Sequence, residues 1–243
     1  MRDHPRLPAL VAATLLLLAI LPAQAQLREF LGGARDARVV LVFVDLTESV
    51  KAADVDRIYT PTLRNAVAKL QPGDRFVLAE ISEQTLGSFA SALDLAFPNT
   101  GCSMEDGDAL EAGKLRIRSE WRKLVARRAR SKATVILDSL NAGSQILTRD
   151  ARPQKQLVIL SDMLEESRTA NFLKTAPAGA LVAQRRAKGL LPDLKDVQVF
   201  VAGASAPTTE RYMKVQGFWL EYLQAAGGKV DGKTYGRVAL SFE

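Results

Sequence analysis

Asp45, Thr47 and Ser49 occupy alternate positions in VVLVFVDLTESV (residues 39–50), where a run of apolar residues stops. A chain that folds over after a strand can aim three such side chains at one point. Oxygen-only donors, one charged and two neutral, suit a hard cation such as Mg2+ or Mn2+ rather than zinc. One carboxylate and two hydroxyls undercompensate a dication. The cluster therefore reads as half of a joint, to be completed by a Glu or Asp from outside. Two further oxygens are expected from elsewhere in the chain. Asp162 ends the apolar run LVILSD, and Thr134 opens a helix, where a hydroxyl caps or ligates. Strand-end carboxylates are expected to lie outside the core, so that Asp45→Ala leaves the fold intact. The metal-free alternative is capping alone: Asp45, Thr47 and Ser49 on a helix beginning near Asp54, and Asp162 on the next.

Other chemistry is excluded by composition. The single histidine, His4, lies in an N-terminal segment expected to be removed. The remainder then holds no Ser-His-Asp triad, no Cys-His pair and no histidine-ligated zinc. With one cysteine, Cys102, there is no internal disulfide, and the domain must rely on its core. Net charge is +6, and the excess sits mostly in residues 114–132, with nine Lys or Arg against one Glu. That run is either a solvated helix face or a docking face for an acidic partner or an anionic surface. Nucleic acid is not expected for an exported chain.

Short apolar runs bounded by polar residues predict strands over 38–45, 75–82, 155–162 and 197–203, with a weaker one over 237–243. Residues 88–97 alternate less cleanly and suit an edge strand. Helices are predicted over 55–70, with its first turn irregular at Pro61, over 106–131 with a break near Gly113, over 134–147, and over 209–228. Residues 98–108 and 174–180 read as loops. The alternation also requires a helix between the strands at 155–162 and 197–203. The fold class is α/β: a doubly wound, mostly parallel sheet flanked by helices, with one antiparallel edge strand. Sites in such folds form beyond the carboxyl ends of the strands. Asp45 and Asp162 both fall there.

Residues 1–25 read as a cleaved signal peptide. Arg2, His4 and Arg6 precede an uncharged apolar stretch, and AQA at 23–25 has the small-x-small form of a cleavage site. The rival is an uncleaved membrane anchor. Residues 26–35 form a linker, and the domain proper is 36–243. The mature protein is expected to be periplasmic or extracellular.

Three segments together resemble a known family. VFVDLTES resembles the Asp-x-Ser-x-Ser motif of von Willebrand factor A domains, with Thr47 at the middle hydroxyl. ATVILDSL (133–140) is similar to that family's threonine-bearing segment, and LVILSD to its strand ending in the fifth motif residue, Asp162. The segments follow the family's order, over residues 36–243. The resemblance implies a metal-ion-dependent adhesion site. Thr47, Ser49 and Thr134 would give hydroxyls to Mg2+ or Mn2+, and Asp45 and Asp162 would bind it directly or through water. Two positions depart from the pattern. Met163, not glycine, follows Asp162, with Glu165 and Glu166 close behind as acids able to fill the open coordination position. Ala133 stands where glycine often precedes the threonine.

The expected function is a non-catalytic, exported, metal-dependent protein-binding module. An alternative is a Mg2+-dependent phosphohydrolase of the haloacid dehalogenase type, although that type wants a second acid where Thr47 stands. Another is a metal-independent structural protein of the envelope.

Overall fold

A computed structural model of the protein describes residues 36–81, 91–127 and 133–242. The expected signal peptide and linker, the start of the edge strand (88–90), the last part of the basic run (128–132) and Glu243 lie outside the described residues.

Six strands form one sheet: β1 (Arg38–Val44), β2 (Arg75–Glu80), β3 (Ser91–Ala96), β4 (Gln154–Leu160), β5 (Val197–Ala202) and β6 (Tyr235–Gly236). Their order is β3-β2-β1-β4-β5-β6. All pairs are parallel except β2 with β3, so the weakly alternating segment is the antiparallel edge strand. β1 is buried along its whole length. Its Val and Phe side chains alternate between two cores, which explains its unbroken apolar run. Val39, Leu41 and Phe43 face one core; Val40, Val42 and Val44 face the other.

Helices cover both faces. On the second core lie α1 and α2 (Ser103–Arg127). α1 comprises an α turn (Ala52–Asp54), a π turn (Val55–Tyr59) and an α segment (Thr60–Ala68). The irregularity expected at Pro61 is this π turn. Pro61 has no N–H to give and its ring crowds the carbonyl four residues back, so the preceding turn widens. On the first core lie α3 (Ile136–Arg149), α4 (Ala180–Ala187) and α5 (Thr209–Ala225). α4 is the helix required between β4 and β5.

Three expectations are corrected. α2 is unbroken at Gly113; a Cβ there would stand 2.3 Å from the Phe97 ring, so the glycine permits close approach to the end of β3. α2 also starts earlier than expected. The buried Asp106 accepts from the backbone N–H of Thr100 and Gly101 and organises its first turn. The last strand is Tyr235–Gly236, not 237–243. The following residues run to α1 instead. Leu240 donates to Thr62 Oγ1 at 3.1 Å and accepts from Asn65 Nδ2 at 2.9 Å, and Phe242 meets Phe200 edge-on.

Candidate metal centre

β1 and β4 are the adjacent central strands, and strand order runs outward from them in both directions. Their carboxyl ends therefore mark the switch point, where such sheets place their sites. The pairing Val44 with Leu160 carries straight on: the Asp45 N–H donates to the Leu160 carbonyl at 2.8 Å. Asp45 and Asp162 are thereby brought side by side from 117 residues apart.

The turn after β1 is held by Asp45 itself. Its Oδ1 accepts from the Thr47 N–H at 3.0 Å and the Thr47 hydroxyl at 2.6 Å. Thr47 Oγ1 also lies 3.2 Å from Ser49 Oγ and 2.9 Å from Thr134 Oγ1. Asp45, Thr47, Ser49 and Thr134 thus share one network, and Asp162 lines a cleft together with Ser49. Asp45, Thr47, Thr134 and Asp162 are buried, while Ser49 reaches solvent.

The capping alternative is not what these side chains do. The N-cap residues Lys51 and Val135 make no side-chain cap of their own, and Glu165, not Thr134, closes the start of α3. Thr134 is extended and pairs with Glu166 in a short antiparallel bridge. Nor does Asp45 lie outside the core: it is fully buried, and Ser161 Oγ donates to its Oδ2 at 2.8 Å. Removing it leaves several donors unpaired, which is costly.

The sequence reading missed Ser161 and gave Glu165 a different role. Ser161 orients Asp45 and receives the Met163 N–H at 2.9 Å; its position just before Asp162 was the available signal. Glu165 is fully buried and caps α3. Met163 adopts φ +63°, the left-handed conformation that glycine takes without penalty. Its carbonyl is held by Trp219 Nε1 at 2.8 Å.

Burial, and after it the Asp45 carboxylate, push Asp162 up to about 7; hydrogen bonds from the Leu164 N–H and the Ser49 hydroxyl pull the other way. Among the described residues Asp162 has no ion-pair partner. Two neighbouring buried carboxylates call for a cation. The donor set fits a hard divalent ion: oxygen atoms only, with two charges. No group of three or more His, Cys, Asp or Glu side chains suited to a metal occurs among the described residues. Any metal here would therefore depend on the hydroxyls. A cleft of about 410 Å³ opens beside Ser49 and Asp162.

The sheet order, its antiparallel edge, and the placing of the three motif segments around the central strands decide the fold. It is the α/β arrangement that the resemblance to von Willebrand factor A domains implies. Solved structures of low identity resemble it. Proximal thread matrix protein 1 from the mussel byssus matches at 14% identity and TM-score 0.42, over 74% of this chain and 41% of that one; one structure of it has a zinc occupied MIDAS motif. The conserved hypothetical protein BatB from Bacteroides thetaiotaomicron matches at 12% and 0.39, over 71% and 72%. A von Willebrand factor type A protein from Catenulispora acidiphila matches at 13% and 0.35, over 80% and 44%. The chain spans less than half the length of the mussel and Catenulispora chains. No family model matches the sequence, and no curated protein does.

Proposed function

We infer that this vWA-type domain is an exported, non-catalytic binding module. It takes a partner protein's Glu or Asp side chain through Mg2+ or Mn2+ held by Asp45, Thr47, Ser49, Thr134 and Asp162. One observation carries the reading. Three segments far apart in sequence bring five oxygen-bearing side chains together at the switch point, and among the described residues the buried carboxylate of Asp162 has no ion-pair partner. A bound divalent ion would supply that charge and a coordination position open to a carboxylate from outside. The chain's own residues fix the donors: Ser161 turns Asp45, and the Glu166 bridge holds Thr134.

The phosphohydrolase reading has less support. Thr47 stands where that chemistry wants a second acid, and its hydroxyl donates to the carboxylate of Asp45. Export rests on residues 1–25. No helix among the described residues is long and apolar enough to cross a membrane. Residues 114–127 of the basic run lie on α2, where Arg116, Arg118, Arg122, Lys123 and Arg127 are exposed. Ion pairs of Arg127 with Glu80 and Lys123 with Glu120 account for part of that charge. The remainder suits a secondary contact with an anionic surface, and nucleic acid is not the partner.

Calorimetric titration of Mg2+ and Mn2+ into wild type and Asp45→Asn tests the proposal. Wild type should saturate at up to millimolar metal and the variant should not. Equal heats from both proteins, or none from either, would refute the site.

A further inference from the structure

α2 has two halves of opposite charge. Residues 103–113 carry four acids and no base, and residues 114–127 carry six Lys or Arg against Glu120 alone. The helix runs from the amino edge of the sheet, where the Phe97 N–H donates to the Asp74 carbonyl at 2.8 Å, to the carboxyl edge, where Arg127 meets Glu80 at 3.1 Å. Its inner face packs on the core through Ile117, Trp121 and Leu124. Leu115, Arg118 and Arg122, spaced by three and four, share the outer face, and Leu115 is 59% exposed there. Internal ion pairs do not neutralise this charge. Lys114 pairs with Glu111, Lys123 with Glu120 and Arg127 with Glu80. Arg116, Arg118 and Arg122 have no ion-pair partner among the described residues.

Charge complementarity calls for an anionic occupant, and the make-up of the face selects its kind. Trp121, the one aromatic residue of α2, is buried. The buried centre of a protein–protein interface is enriched in aromatic anchors, and this face presents none. Unpaired arginines around a single exposed aliphatic side chain instead match a surface whose negative charges need no fixed register, the headgroups of anionic lipids. Deepening the surface contact named above, and independently of the metal, we propose that the outer face of α2 docks on an anionic phospholipid bilayer. Arg118 and Arg122 lie among the headgroups, Leu115 enters between them, and Arg116 flanks the contact.

The test is co-sedimentation of the full mature protein with vesicles in chelator, so that its outcome is separate from that of Mg2+ calorimetry. One set of vesicles is phosphatidylcholine alone, and the other contains about 30% phosphatidylglycerol. The protein should sediment with the anionic set only, and about 0.5 M NaCl should release it by screening the exposed charges. The double variant Arg118→Gln/Arg122→Gln should bind about 25-fold more weakly, from about fivefold for each lost charge. Arg186→Gln/Lys188→Gln removes the same charge from exposed positions on α4, across the sheet, and should leave binding unchanged. Both double variants should keep the wild-type urea midpoint. Sedimentation with both vesicle sets, with neither, or equal loss in the two double variants would overturn the proposal. Binding of soluble poly-L-glutamate without binding of vesicles would also overturn it, and would assign the face to an acidic protein.

Discussion

The Glu165 carboxylate accepts the backbone N–H of Ile136 at 2.7 Å, 29 residues away, and that of Leu137 at 3.1 Å. It closes the N-terminus of α3 in place of a local cap. The next residue, Glu166, exchanges two backbone hydrogen bonds with Thr134, at 2.8 and 3.2 Å. The acids after Asp162, which the sequence offered as a plug for the site, instead hold the segment that carries the Thr134 hydroxyl.

Removing that cap should therefore act twice. Glu165→Ala should cost about 1–2 kcal/mol of stability, the usual loss for a stripped helix cap, and should also weaken Mn2+ binding by releasing Thr134. Glu165→Gln keeps an acceptor and should recover most of both. Urea denaturation and Mn2+ calorimetry on the two variants decide it. Unchanged Mn2+ affinity in Glu165→Ala would show that Thr134 does not depend on the clamp.

The same carboxyl gives a pH dependence. Burial pushes Glu165 up to about 7 from an ordinary 4.5. Between those values the folded chain holds a proton that the unfolded chain has lost, so stability falls as pH rises from about 4.5 to about 7 and then levels. The shift corresponds to a loss on the order of 3 kcal/mol, and Asp162 adds to it with the same sign. In chelator, the urea midpoint should be lower at pH 8 than at pH 5, with a shallower decline in Glu165→Gln. A midpoint that rises with pH contradicts the assignment.

Asp45→Asn separates charge from structure. The amide oxygen can still accept from Thr47, while the negative charge that raises Asp162 is gone. In chelator at pH 8 the variant should melt within a few degrees of wild type. With millimolar Mg2+ the wild type should gain stability by mass action and the variant should not. Equal gains would place the metal elsewhere.

Met163 should invert a familiar order. Its φ of +63° costs an L-residue about 1–2 kcal/mol relative to glycine, while its buried side chain contributes packing in either case. Met163→Ala loses the packing and keeps the strain; Met163→Gly loses the packing and the strain together. Thermal denaturation should rank Gly above Ala by about 1 kcal/mol. The reverse ranking would mean that the left-handed conformation is not retained.

Much of this was legible beforehand because the central strands are covered on both faces. Their apolar runs end where the sheet ends, so the sequence alone places Asp45 and Asp162 at strand ends. Thr134 was found by its position ahead of an apolar helix, but its partner was not. The Glu165 cap links segments 29 residues apart, and no local pattern announces such a bond. Residues 237–242 misled for a related reason. Their alternation fits a strand, yet Thr62 and Asn65 on α1 supply the hydrogen bonds that a sheet edge would have given. Gly113 reads as a helix breaker until Phe97 is seen against it.

The central claim is that one divalent cation sits among Asp45, Thr47, Ser49, Thr134 and Asp162. Crystals soaked in Mn2+ and measured at the manganese absorption edge test it most directly. The account predicts one strong anomalous peak at about 2 Å from oxygens of this set, lost in Asp45→Asn crystals soaked the same way. A peak away from these residues, or one that persists in Asp45→Asn, would contradict it.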